Sequence, residues 1–158
     1  MGYYIFDKFS LLHFSAGVLW NYYGLDLVSL IVLHIIFEAV ENTSVGMAFI
    51  NRYFKLWPGG KEHADSLLNS LSDTFFSALG WIFYQNLSKD VDRTAILALF
   101  VGNVMYYWLI KNLYIGLILG IFLVIAFWKE WKYYLYYLVG IGLGYGVTLV
   151  DNEFRLFM

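Results

Sequence analysis

The chain has 158 residues, 61% of them hydrophobic and 14% charged, with one proline, no cysteine and a formal net charge of -2. Soluble domains run nearer about 45–50% apolar and about 25% charged, so the composition points to a polytopic membrane protein, a single bundle over 1–158 with no room for a separate soluble domain. Disulfides and thiolate metal sites are excluded, and no nucleic-acid partner is expected from this charge.

Six apolar segments follow in chain order: 6–23, 25–45, 65–86, 94–111, 112–128 and 134–150. The first follows Asp7 and Lys8 and lacks both a basic run and a small-x-small end, so a cleaved signal peptide is not expected. Continuously apolar segments without alternation need internally bonded backbones in lipid. The fold class is therefore all-α, a helical membrane protein. Lys111-Asn112 reads either as a tight turn between two short spans or as a polar break in one bent helix. The first gives six transmembrane helices and is adopted; the second gives five.

Between the second and third segments, 46–57 reads "GMAFINRYFKLW". Met47, Ile50, Tyr53, Phe54 and Trp57 share one helical face, and Asn51, Arg52 and Lys55 lie on the other. This predicts an amphipathic helix in the interface plane, basic side toward headgroups; an amphipathic loop helix packed on the bundle fits the pattern equally. The "PGGK" that follows turns the chain back. With six spans, the face bearing the N-terminus carries Lys8, Arg52, Lys55, Lys61, Lys111 and Arg155, against Lys89, Arg93, Lys129 and Lys132 opposite. That excess predicts an inner-membrane protein with both termini cytoplasmic.

The third segment opens on "DSLLNSLSD", 65–73. At about 100° per residue, Asp65, Asn69 and Asp73 follow one stripe, flanked by Ser66, Ser70, Ser77 and Gly80. Leu67, Leu68, Leu71, Phe75 and Leu79 fill the opposite arc. In the second segment His34, Glu38, Glu41 and Asn42 fall within roughly 100° of arc, and the first offers His13 and Ser15, with Gly17 for close approach. An acid facing lipid costs at least ~2.5–3.5 kcal/mol, so these stripes should point inward. Counted at about 1.5 Å per residue from one membrane face, Glu38 and Asp73 lie about 10–12 Å deep and His13 about 8–12 Å. Glu41, Asn42 and Asn69 fall a turn nearer the mouth, and Asp65 sits at it.

Several acids so close in low dielectric need raised pKa values or a cation among them. His13, Glu38, Glu41, Asn42, Asp65, Asn69 and Asp73 form the candidate site. Within it, Glu38, Asp73 and His13 are the candidate ligands for a divalent cation such as Mg²⁺, Mn²⁺ or Zn²⁺. Arg52, Lys55 and Lys61 are the candidate anion or headgroup ligands. A hydrogen-bond network that only locks three helices together would use the same residues.

From Thr94 onward the spans are nearly free of acids. Asn103 reads as a helix–helix hydrogen bond, and Asp151 and Glu153 as a short solvated tail. Gly140/Gly144, Gly142/Gly146 and Gly116/Gly120 have small-x-x-x-small spacing, for packing within the bundle or in a homo-oligomer. Tyrosines and tryptophans such as those of "WKEWKYYLYY" read as interfacial anchors among membrane lipids.

Glu41-Asn42-Thr43, Arg52-Tyr53, Asp65-Ser66, Asn69-Ser70 and Ser72-Asp73-Thr74 together resemble an uncharacterised bacterial inner-membrane family marked by those motifs. In it Glu38 and His13 match an upstream Glu and His. Asp7-Lys8 with His13-Phe14 is distantly similar to the opening of VanZ-like proteins, with two extra residues between. Ala64 stands where the family has Gly, and the resemblance covers about the first half of the chain. It implies that these residues act as a set and carries no activity with it.

Three functions fit. An intramembrane enzyme would act on a lipid-linked or amphipathic anionic substrate, with a carboxylate or His13 as general base and Arg52 and Lys55 on the anionic group. A proton or cation transporter would use the same acids as carriers. An accessory or assembly protein would use them as scaffold.

Overall fold

The computed structural model describes residues 5–53, 61–109 and 113–156, and all regular structure among them is helical. The elements are α1 (Ser10–Tyr22), α2 (Leu27–Glu41), α3 (Ser44–Tyr53), α4 (Leu67–Gln85), α5 (Arg93–Leu109), α6 (Leu113–Leu123), a π-helical turn at Val124–Trp128, and α7 (Trp131–Leu156). Local chemistry sets several of the ends. Asp26 caps α2 by accepting from Ser29 N at 2.9 Å. Ser66 caps α4 by accepting from Asn69 N at 3.2 Å. Gly24, at φ +75°, makes the turn between α1 and α2.

Two tight helix pairs organise the bundle, α1 on α4 and α5 on α7, and α1 packing on α5 joins them. Small residues permit both. A Cβ on Gly17 would lie 1.9 Å from Ser77 O, and one on Gly80 would lie 1.9 Å from Phe14 O. On the other pair, a Cβ on Gly140 would lie 1.8 Å from Leu99 O. Gly140 and Gly144 thus face α5 inside the bundle, whereas Gly142 and Gly146 face open space.

Asn103, fully buried, ties the two pairs together. With its amide oriented by its partners, it donates to Leu11 O at 3.2 Å and Ser15 Oγ at 2.8 Å and accepts from Gly144 N at 3.2 Å. Asn103→Leu, which keeps the branched shape but none of the hydrogen bonds, should therefore cost about 1.5–4.5 kcal/mol, three hydrogen bonds at roughly 0.5–1.5 each. Denaturation of the purified protein in detergent measures it.

α2 and α4 are inside-out by the standards of a water-soluble helix. The buried residues of α2 are Leu30, Glu38 and Glu41, while Val28, Val32, Leu33, Ile36, Phe37 and Val40 are exposed. α4 buries Asn69, Ser72, Asp73, Ser77, Gly80 and Tyr84 and exposes Leu67, Leu68, Leu71, Phe75, Ile82 and Phe83.

Helix length does not match six full spans one for one. Among the described residues, Trp131–Asp151 alone is long and apolar enough to cross a membrane by itself. Leu27–Glu41 and Ser44–Tyr53 meet the same requirement only as a pair bent by 89°. The 13, 15 and 17 residues of α1, α2 and α5 fall short of the roughly 20 that a bilayer core takes. α4 has 19, but its polar stripe dilutes its hydropathy.

The last segment runs well past its expected end at 150. α7 continues to Leu156, and Asp151 is buried within it. The expectation of a solvated tail from Asp151 is therefore wrong, because α7 carries this carboxylate against the bundle. The expected turns at 58–61 and Lys111-Asn112 lie wholly or largely outside the described residues, as do Phe54, Lys55 and Trp57.

Candidate functional site

The polar stripes of α1, α2 and α4 meet at one end of the bundle. The cluster has three parts, stacked from the mouth inward and to one side.

At the mouth the chain returns from α3 and lays Lys61 between α2 and α4. Its ammonium donates to both Glu41 and Asp65, and it is only 6% exposed. Burial alone would lower the Lys61 pKa; the bonds to Asp65 and Glu41 outweigh it and leave the pKa raised. The backbone of Lys61 is held as firmly, since Lys61 N donates to Asn51 Oδ1 at 2.7 Å and its carbonyl accepts from Asn51 Nδ2 at 2.8 Å. Asn42 completes the layer. It donates to Glu38 O at 2.8 Å and Ser70 Oγ at 3.3 Å and accepts from Asp65 N at 2.6 Å.

One to two turns deeper lie His13, His34, Glu38, Asp73 and Thr74. His13 Nδ1 faces His34 Nε2 at 2.9 Å, and the rings meet edge to face. The outer nitrogens face oxygens: His13 Nε2 lies 3.5 Å from Asp73 Oδ2, and His34 Nδ1 lies 3.1 Å from Thr74 Oγ1. His34 Nδ1 is also 3.9 Å from Glu38 Oε1. Glu38 and Asp73 are each 4% exposed, and Glu38 Oε1 and Asp73 Oδ1 are buried with no hydrogen-bond partner. One ligand atom each from His13, His34 and Glu38 lie within 4.8 Å of one another, as do atoms of Glu38, Glu41 and Asp65.

To one side, Asp7 accepts from Phe9 N at 2.8 Å and meets Asn69 Nδ2 at 3.5 Å, while Ser72 Oγ donates to Ile5 O. This part anchors the approach to α1. Asn69 is thereby placed with Asp7, beside the layer that holds Glu38.

Of the candidate residues, the structure gathers His13, Glu38, Glu41, Asn42, Asp65 and Asp73 around α2 and α4. Lys61, expected to hold an anion, is committed to two carboxylates. Arg52 is exposed on α3 with its guanidinium over the Tyr53 ring at 5.3 Å, and Lys55 lies outside the described residues. His34 and Thr74 stand outside the sequence-derived set. His34 was legible on the α2 stripe four residues before Glu38; Thr74 was legible only as the last residue of the Ser72-Asp73-Thr74 motif.

Between α2 and α4 a cleft of about 320 Å³ opens sideways. Glu38, Asn42, Asp65, Ser70 and Thr74 supply its polar lining, and the exposed Ile35, Leu67 and Leu71 its rim. Immediately beyond the histidines the bundle closes. Ser77 Oγ donates to His13 O at 3.1 Å, and α1 and α4 touch backbone to backbone at Gly17 and Gly80.

Fold and cluster together define a helical bundle that turns its acids inward and its hydrocarbon outward around a histidine–carboxylate site. The chain belongs to the family described as "Protein of unknown function (DUF2585)", which it matches over residues 3–133. That match takes in every residue of the cluster and ends at the start of α7. No curated protein and no solved structure matches the chain.

Proposed function

We propose that the protein is a polytopic membrane protein whose α2–α4 cleft admits an amphipathic substrate from the bilayer and whose buried cluster performs acid–base chemistry on it. The observation that carries this reading is the cleft: an apolar rim facing outward over a polar floor of Glu38, Asn42, Asp65, Ser70 and Thr74. The inside-out burial on α2 and α4 supports the membrane setting. Burying acids while exposing Val, Leu and Phe is costly in water and favourable in hydrocarbon. α3, bent 89° from α2, fits a helix lying at the surface where α2 emerges. Helices shorter than the hydrocarbon core are accommodated by local thinning or by flanking anchors.

The closure of α1 on α4 beyond His13 favours a dead-end site over a through-path, and so an enzyme over a transporter. In the enzymatic reading a carboxylate of the cleft floor takes a proton from water or a substrate hydroxyl held in the cleft. Depth at the headgroup end suits a substrate whose reactive group lies just below its polar head.

Ala39, exposed and lining the cleft, is the position for a test. Ala39→Trp should fold and melt like wild type but fill the cleft. Native mass spectrometry from mild detergent should show wild type retaining a phospholipid-sized adduct and Ala39→Trp losing it, with growth complementation lost in parallel. Equal adducts and equal complementation would reject the cleft as the substrate site.

A further inference from the structure

The hydrogen accounting around the two histidines goes further. Thr74 Oγ1 donates to Ser70 O at 3.0 Å, so toward His34 it is an acceptor, and His34 Nδ1 carries the hydrogen. An ionised Asp73 only accepts, which places the hydrogen of His13 on Nε2, the nitrogen 3.5 Å from it. The facing nitrogens, His13 Nδ1 and His34 Nε2, are then two lone pairs 2.9 Å apart. Two acceptors at that distance repel unless a cation lies against both. Beside them Glu38 Oε1 is a buried carboxyl oxygen with no hydrogen-bond partner; it lies 3.9 Å from His34 Nδ1, and one ligand atom each from His13, His34 and Glu38 lie within 4.8 Å of one another.

We propose that His13, His34 and Glu38 bind one divalent transition-metal ion of the zinc type, with Asp73 and Thr74 orienting the two imidazoles rather than touching the metal. Two imidazoles and one carboxylate with a fourth position open is a ligand set of catalytic zinc sites, and nitrogen donors select against Mg²⁺. Tetrahedral bonds of about 2.0–2.1 Å place ligand atoms roughly 3.3–3.4 Å apart, so the ring nitrogens separate by only a few tenths of an ångström. A ligating histidine ordinarily donates its other N–H to a carboxylate or other oxygen, which fixes the ring; Asp73 and Thr74 stand in those two places. The single ion satisfies both the facing lone pairs and Glu38 Oε1. A protonated Asp73 donating along a neutral chain through His13 and His34 to Thr74 would satisfy the rings but leave Glu38 Oε1 unpaired.

The site deepens the enzymatic reading, resting on it only for its use. Glu38 also lines the cleft, so the site adjoins the place of the substrate. A cation there lets an acidic cleft accept an anionic head that Glu38, Glu41 and Asp65 would otherwise repel.

The experiment uses the full chain purified in detergent, stripped with chelator and then offered Zn²⁺, Mn²⁺ or Mg²⁺. Elemental analysis should find one zinc per chain after desalting, and zinc should raise the melting midpoint where Mg²⁺ does not. His13→Gln, His34→Gln and Glu38→Gln should each abolish both effects. Asp73→Asn should keep the stoichiometry at saturation with affinity weakened about 10–100-fold. His63→Gln, an exposed histidine outside the proposed ligand set, should bind like wild type. Cobalt offered to the wild type needs no variant: it should give a visible ligand-field band that zinc abolishes. No retained ion with melting indifferent to all three cations overturns the site, as does binding that survives Glu38→Gln or is lost in His63→Gln. Because metal content and Ala39→Trp lipid retention are separate readouts, the site and the cleft can fail separately.

Discussion

Lys61→Met should be among the most destabilising single changes in the protein, at about 3–5 kcal/mol, the cost of removing one partner from a buried ion pair. The ammonium is the shared donor to Glu41 and Asp65, and without it two carboxylates face each other with little water. The apolar stem of methionine keeps the packing, so the loss isolates charge from volume. The companion measurement is the triple variant Lys61→Met, Glu41→Gln, Asp65→Asn. Replacing a whole buried ion cluster with neutral groups is often close to neutral in stability, so the triple variant should recover most of what the single one loses. Thermal melts in detergent read both. A single variant as stable as wild type would mean that the lysine's charge is not needed there. The raised Lys61 pKa fixes the pH dependence of this contribution: it is fully present below the unfolded lysine value and is lost only as pH rises through the higher folded value. Acidification by itself should not release the ammonium, although it would protonate its partners.

Lys61 also marks where reading from sequence ran out. Its position four residues before Asp65 was visible, and so was the basic character of the linker. Whether a lysine at an interface faces lipid or folds back is decided by the path of the chain. Here Asn51 brackets the Lys61 backbone from both sides and turns it inward. The inward stripes of α2 and α4 were legible because a 3.6-residue period fixes which residues share a face, and the cost of an acid in hydrocarbon fixes which face is buried. His34 shows the limit of that logic. Periodicity put it on the stripe with Glu38, but its place between His13 and Thr74 depends on the rotation of α1 against α4, which the spacing within one helix does not contain. Asp151 failed for a different reason: an acid near the end of the chain reads as solvated, and only the continuation of α7 to Leu156 shows it carried back against the bundle.

Gly80→Val should separate α1 from α4 and take the site apart with them. The added Cβ would lie 1.9 Å from the Phe14 carbonyl oxygen and 2.8 Å from its carbon. These are backbone atoms that no side-chain rotation can move, so the helices themselves must part. Overpacking a core costs typically about 1–3 kcal/mol, and a clash against a helix backbone belongs at or above the top of that range. α1 holds His13 and α4 holds Asp73 and Thr74, so the displacement also lengthens the 3.5 Å approach of His13 to Asp73. The variant should therefore lose stability and the zinc-dependent rise in melting midpoint together, although it changes no polar residue. Gly142→Val is the matched control. Nothing lies within 4 Å of a Cβ there, so the monomer should tolerate it and gain about 1 kcal/mol or less from the better helix propensity of valine over glycine. If Gly142→Val instead lowers the apparent mass on size exclusion while the fold and melting midpoint hold, the open Gly142/Gly146 face is a contact between copies of the chain. If Gly80→Val melts like wild type and keeps its zinc response, the close α1–α4 approach does not set the geometry of the cluster.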